Sequence, residues 1–310
     1  MTFDIQDNTL VLHDLNYIDV SKLVDFLRER PNITELYLTK CKISVEIVKE
    51  LAELKNLTSL DLSGCKIGVE VAKELTKLTN LTSLDLGKCK ISVEIVKELA
   101  ELKNLTSLDL SGCKISVEIV KELAKLTNLT SLKLNWCISV EVAKELAKLT
   151  KLTSLDLTEC KVSVEIAKEL AKLTNLTLLK LNWCISVEVA KELVKLTSLT
   201  SLDLSLCKIS VEVAKELVKL TYLTSLDLSL CRISVGVAKE LAKLENLTSL
   251  RLNECNISDD GVKELAKLKN LTSLNLTKCN ISGKGANVKL QDEVPNSQEK
   301  LKSSSKYYIC

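Results

Sequence analysis

One cysteine returns at nearly fixed intervals along this chain, and that constrains the fold more than any other feature. Cys41, Cys65, Cys89, Cys113, Cys137, Cys160, Cys184, Cys207, Cys231, Cys255 and Cys279 follow one another at 23 or 24 residues. The same apolar frame surrounds each of them, as in Leu57-Thr-Ser-Leu60-Asp-Leu62-Ser-Gly-Cys65-Lys-Ile67. Eleven such repeats begin at Ile33, Leu57, Leu81, Leu105, Leu129, Leu152, Leu176, Leu199, Leu223, Leu247 and Leu271. A repeat this short buries its apolar side only by stacking on its neighbours. The usual division of 310 residues into roughly two domains of about 150 therefore does not apply.

Each repeat has two halves. In Ser59-Leu60-Asp61-Leu62-Ser63 the residues alternate, so a strand is expected with Leu60 and Leu62 inward and Ser59, Asp61 and Ser63 outward. Each Cys then turns inward, where its weak S–H donor can meet a backbone carbonyl of a neighbouring repeat. Stacked thiols point the same way, which is poor disulfide geometry. The second half reads as a helix. Ser44, Ser92, Ser116, Ser139, Ser163, Ser186, Ser210, Ser234, Ser258 and Ser282 stand where an N-cap belongs, typically with an acidic residue two positions on. Val45, Val48, Leu51, Ala52 and Leu54 are expected to form the apolar face, and Lys49, Glu50 and Glu53 a solvated one. Asn56 and its equivalents are expected to end the helix in the left-handed conformation.

The pattern L-x-x-L-x-L-x-x-C-x-I resembles the leucine-rich repeat family over about residues 10–290. The resemblance implies an α/β solenoid of horseshoe form, with parallel strands on the concave face and helices on the convex face. The repeat length is similar to the GALA-type and ribonuclease-inhibitor-like branches. Ile257-Ser-Asp-Asp-Gly261 comes closest, while most repeats carry Val-Glu-Val-Ala instead. Some GALA members are bacterial effectors that join an F-box to the repeats, but residues 1–32 read as an N-terminal cap. In that cap Leu10-Val-Leu12-His13-Asp-Leu15 mimics a repeat strand, and Ser21 to Arg30 supplies a helix that Pro31 ends. Residues 33–290 hold the eleven repeats, and residues 291–310 read as a polar, disordered tail. Tyr307-Tyr308-Ile309 either folds back on the last repeat or docks elsewhere.

Composition narrows function by exclusion. A net charge of +2 supplies no general field for nucleic acid or an anionic membrane. The single histidine, His13, rules out a histidine-cluster metal site and reads as a surface residue of the cap. No uninterrupted apolar run approaches the ~18 residues of a membrane span. No P-loop or nucleophile–base–orienter arrangement stands out. The expectation is a protein that is not an enzyme, uses no cofactor or metal, and takes no small-molecule substrate. The start is neither basic nor apolar and the cysteines form no framework, so a reducing, cytoplasmic compartment is expected. Segments 40–67 and 88–115 are identical. Such block duplication fits a lineage-specific binding array, as in a bacterial effector delivered into a host cell. The expected role is a protein–protein interaction scaffold. The alternative is an inhibitor or substrate-recognition subunit, such as a ubiquitin-ligase-associated effector without its own F-box.

Differences between repeats concentrate at outward positions. The residue between the inner leucines includes Tyr37, Asp61, Asp85, Asp109, Lys133, Asp156, Lys180, Asp203, Asp227 and Arg251. The residue before each Cys includes Lys40, Gly64, Trp136, Trp183, Leu206 and Leu230. Such variation marks either a recognition surface or drift at exposed positions. Trp136, Trp183, Leu206 and Leu230 would form an apolar row of ~19 Å at ~4.8 Å per strand. Tryptophan is a favoured interface anchor. Both tryptophans precede a turn that lacks the usual Lys after Cys, so packing over that turn is the other reading. Lys133, Asp156 and Lys180 lie beneath the row with alternating charge. Asp61, Asp85 and Asp109 are like charges on adjacent strands. Something must offset them: Lys88, the Lys66-Lys90-Lys114 row, a basic partner or a cation.

Overall fold

The computed structural model describes residues 4–13, 20–135, 138–182 and 185–282. The chain divides into two compact units, Met1–Asp156 and Leu157–Cys310. The first unit runs β1 (Asp4–Gln6), β2 (Thr9–His13), α1 (Val20–Arg28), β3 (Glu35–Thr39), α2 (Val45–Ala52), β4 (Ser59–Asp61), α3 (Val69–Leu75), β5 (Ser83–Asp85), α4 (Val93–Leu99), β6 (Ser107–Asp109), α5 (Val117–Leu123), β7 (Ser131–Lys133), α6 (Val140–Leu146) and β8 (Ser154–Leu157), within which the division falls. The second unit runs α7 (Val164–Leu170), β9 (Leu178–Leu181), α8 (Val187–Leu193), β10 (Ser201–Asp203), α9 (Val211–Leu217), β11 (Ser225–Asp227), β12 (Arg232–Ile233), α10 (Val235–Leu241), β13 (Ser249–Arg251), β14 (Asn256–Ile257), α11 (Asp259–Leu265) and β15 (Ser273–Asn275).

In the first unit the strands lie side by side in chain order. All pairs from β2 to β8 are parallel, while β1 folds antiparallel onto β2 and completes a hairpin the sequence pattern did not announce. In the second unit β9, β10, β11, β13 and β15 form the corresponding parallel series. There β12 and β14 add a separate two-stranded ladder, Arg232 opposite Asn256 and Ile233 opposite Ile257.

The leucines explain the register. Leu36, Leu60, Leu84, Leu108, Leu132 and Leu155 are paired across successive strands, and none is more than 1% exposed. A one-residue slip would turn every one of them to solvent. At about 2 kcal/mol per fully buried leucine, that row alone fixes the pairing.

The helices start where serine predicts. Ser44, Ser92, Ser116, Ser139, Ser163, Ser186, Ser210, Ser234 and Ser258 each accept a backbone N–H three residues on. Gly68 holds the same place without a side-chain cap. The buried face of α2 comprises Ile47, Val48, Leu51 and Ala52, so Ile47 takes the place expected for Val45, which is half-buried. Glutamates equivalent to Glu50 are not freely solvated in most later repeats. Glu74, Glu145 and Glu169 keep 14–16% side-chain exposure and pair with the lysine three residues on, at 2.6–2.7 Å.

Two further ladders join repeat to repeat. Cys65, Cys89 and Cys113 donate Sγ–H to Leu38, Leu62 and Leu86 carbonyls at 3.1–3.2 Å. Cys231 and Cys255 do the same to Leu204 and Leu228 at 3.4 and 2.9 Å. This is the inward role expected from their spacing. Asn56 departs from expectation. Its backbone is not left-handed; its Nδ2 donates to Ile33 O at 2.6 Å, and Asn80 and Asn104 reach back similarly to Lys55 O and Thr79 O. The left-handed corner falls instead on the residue before each described cysteine: Lys40, Gly64, Lys88, Gly112, Glu159, Leu206, Leu230, Glu254 and Lys278. Corner N–H groups bridge to the next repeat, Lys40 to Ser63 O and Gly64 to Gly87 O at 2.7 Å. The side chain of His13, the tail from 291 and the weak helix expected after Ser282 lie outside the described residues.

Candidate functional site

The outward face of the first unit's sheet is built around three carboxylates. Asp61, Asp85 and Asp109 end β4, β5 and β6 and stand opposite one another in register. Each turns one oxygen back to its own strand end. Oδ1 accepts the backbone N–H of Ser63, Gly87 and Ser111 respectively, at 2.7, 2.7 and 2.8 Å. The second oxygens differ. Thr39 Oγ1 donates to Asp61 Oδ2 at 3.3 Å, and Lys133 Nζ lies 3.0 Å from Asp109 Oδ2. Asp85 has no such second donor among the described residues. Burial first, then the carboxylates of Asp109 and Asp61, push Asp85 up to about 6, against the opposing Gly87 N–H and Lys133.

Space opens on both sides of Asp85. One hollow of about 190 Å³ is lined by Lys40, Gly64, Asp85, Gly87 and Asp109. Another of about 170 Å³ is lined by Tyr37, Asp61, Asp85, Asp109 and Lys133. Gly87 lets the backbone come close here, because a Cβ there would stand 3.0 Å from Asp85 Oδ1 and 3.3 Å from Ser111 O. Lys133 is opposite both Asp109 and Asp156 in register, and its ion pair is with Asp109. The hydrogen bond to Asp109 raises its pKa. Lys66, Lys90 and Lys114, one candidate offset for the aspartates, are exposed and make no ion pair with them among the described residues.

The second unit places Lys180, Asp203, Asp227 and Arg251 on successive strands. Arg251 approaches Asp227 at 3.6 Å. Leu206 and Leu230 occupy adjacent left-handed corners, with φ of 63° at each, and are 55% and 47% exposed. Gly64 and Gly112 hold that corner in the first unit with φ of 71° and 73°. An L side chain there costs of order 1 kcal/mol that glycine avoids. The two leucines expose apolar surface without relieving that strain. Of the apolar row expected from the sequence, Trp136 and Trp183 lie outside the described residues, and Leu206 and Leu230 lie within them.

Four of the described thiols are held unreactive. Burial pushes Cys65, Cys89, Cys231 and Cys255 up to about 12, so they stay protonated donors at neutral pH. Among the described residues no group of three or more His, Cys, Asp or Glu is arranged to hold a metal ion. Nor is any helix among them long and apolar enough to cross a membrane.

Comparison with known families and folds agrees with this frame. A family model described as a leucine-rich repeat region matches residues 27–164. A second leucine-rich repeat model matches residues 195–218, 219–241, 243–266 and 267–287. Comparison with curated proteins gave no match. Among solved structures the chain is similar to an internalin (inlF) from Listeria monocytogenes, at 23% identity and a TM-score of 0.56, over 94% of this chain and 88% of that one. It is similar also to the chain of a TLR13–ssRNA13 complex, at 21% identity and a TM-score of 0.56, over 91% of this chain and 48% of that one. At these identities the likeness is one of fold. With parallel strands, helices and an inward cysteine in step with both repeat models, this chain belongs to the leucine-rich repeat family, whose members generally mediate protein–protein interactions and are typically non-enzymatic.

Proposed function

We propose that the chain is a non-enzymatic scaffold that takes a protein partner on the outward face of its strands. One observation carries this reading: repeats that are nearly identical in their buried positions differ at the outward strand residue and at the left-handed corner. Tyr37, Asp85, Lys133, Lys180 and Arg251 all sit on the same leucine frame. A frame indifferent to those side chains leaves them to be chosen by a ligand. Trp136, Trp183, Leu206, Leu230, Lys133, Asp156, Lys180, Asp61, Asp85 and Asp109 are the residues proposed to meet it.

The fold alone does not separate a protein ligand from RNA, since one similar structure is the TLR13–ssRNA13 complex. The mixed charge of the face favours protein. So does the presence of Tyr37 as the one described aromatic at the outward strand position. The buried free thiols suit a reducing compartment, and the duplicated blocks suit a bacterial array selected for binding. The test is quantitative capture from lysate with three folded baits: the native chain, a strand-face form (Tyr37→Ser, Asp85→Ser, Lys133→Ser), and a helix-face form (Lys97→Ser, Lys121→Ser, Lys144→Ser). The reading requires a protein lost from the strand-face form and kept by the helix-face form. Equal retention by all three, or loss from the helix-face form alone, contradicts it.

A further inference from the structure

A second charged surface lies off the strand face. Lys42, Lys66, Lys90 and Lys114 each follow a buried cysteine by one residue, and all four are exposed. None has a carboxylate within ion-pair distance among the described residues. Their acidic neighbours in sequence are engaged elsewhere. Glu70 pairs with Lys73 at 3.0 Å, and Glu46, Glu94 and Glu118 are held at their helix starts by their own backbone N–H first and then by Ser44, Ser92 and Ser116, with Lys49, Lys97 and Lys121 adding a weaker attraction. The charges that shift Asp85 most include Lys133 and none of this row. Four like charges are thus held together with no ion-pair partner among the described residues.

The backbone keeps them in step. Immediately before each cysteine, Lys40, Gly64 and Lys88 donate to Ser63 O, Gly87 O and Ser111 O at 2.6–2.7 Å, and the cysteine thiols add a parallel ladder. The lysines therefore recur at about the strand spacing of ~4.8 Å. An α-helix presents one residue per turn along a face at ~5.4 Å. An extended segment presents same-face residues at roughly 6.6–6.8 Å, a poorer match. The loops beside the row, 40–42, 64–66, 88–90 and 112–114, hold only Lys, Gly and Cys, so they give nucleic-acid bases no aromatic platform.

We propose that the Lys42–Lys66–Lys90–Lys114 edge docks an acidic helix of a protein partner, one carboxylate per turn against one lysine per repeat. This contact is separate from the strand face and stands or falls independently of it.

The test uses the full chain and fluorescein-labelled probes. These are an 18-residue alanine-based helical peptide with one glutamate per turn, its glutamine counterpart, and a 12-nucleotide single-stranded RNA of mixed sequence. Anisotropy titrations at 20 mM and 200 mM salt compare the native chain with Lys42→Ser/Lys66→Ser/Lys90→Ser/Lys114→Ser. A second comparison uses the helix-borne control Lys73→Ser/Lys97→Ser/Lys121→Ser, and circular dichroism checks that each form is folded. The glutamate peptide should saturate the native chain, weaken at high salt, weaken at least tenfold on the edge variant and stay within twofold on the control. Tighter binding of RNA that is lost from the same variant would reassign the edge to nucleic acid and overturn the proposal. Equal binding of the glutamate and glutamine peptides, no loss on the edge variant, or no saturation at 20 mM salt would also overturn it.

Discussion

The sheet faces of the two units share a frame and differ in chemistry. In the first, Leu84 is 1% exposed and Cys89 reaches Leu62 O at 3.2 Å. In the second, Leu226 is 0% exposed and Cys231 reaches Leu204 O at 3.4 Å. Ser92 and Ser234 cap their helices alike. Outside that frame the first unit carries three aspartates in a row and glycine or lysine at the corners around them. The second carries charges of both signs and two exposed leucines at its corners. Since the frame is the same beneath both, outward chemistry and stability are largely separate properties of this fold.

The strongest way to break that comparison is through the frame. Leu108→Ala and Leu226→Ala should each cost about 3 kcal/mol, as buried leucines lacking room to collapse do. Urea unfolding of the two variants should agree within about 1 kcal/mol; a much cheaper loss in one unit would mean that the frames are not equivalent.

The corners come next. Gly64→Ala should destabilise by about 1–2 kcal/mol, because φ is 71° and its Cβ would stand 2.8 Å from Lys40 Cγ. Leu206→Asn should change stability in the opposite direction, by up to about 1 kcal/mol, since asparagine tolerates a left-handed backbone. Thermal melts that move the same way for both would contradict the strain argument.

The aspartate row gives a smaller effect with a definite sign. Folding raises the Asp85 carboxyl from 3.8 to about 6, so the folded chain binds that proton more tightly. Its contribution is fully present below about pH 3.8 and is lost as pH rises through about 6. Asp85→Asn should remove that loss and raise stability at pH 7 by about 1 kcal/mol after solvent screening. Unfolding measured between pH 4 and 7 should show a flatter slope for Asp85→Asn than for the native chain; an unchanged slope would contradict it. The smallest effect is at a cap. Gly68→Ser should gain a few tenths of a kcal/mol, since a Cβ at Gly68 meets nothing within 4 Å and serine can then accept the free N–H.

These cases also show what was legible beforehand. Period-two leucines, the cysteine spacing and the serine caps report local physics, and each was readable from residues alone. The left-handed corner lies not at Asn56 but before the cysteines, where Gly64 and Gly112 mark it in the sequence. Lys133 choosing Asp109, the unmatched oxygen of Asp85 and the β12–β14 ladder depend on which side chains meet across repeats, and no single repeat encodes that.

The central claim is that recognition resides on the outward strand residues while the shared frame only carries them. The most direct test is hydrogen–deuterium exchange of the chain with and without its captured partner. The account predicts new protection in the segments that hold β4 to β7 and the corners at Leu206 and Leu230, with helices α3 to α6 unchanged. Protection confined to those helices, with the strand segments and corners unchanged, would contradict it.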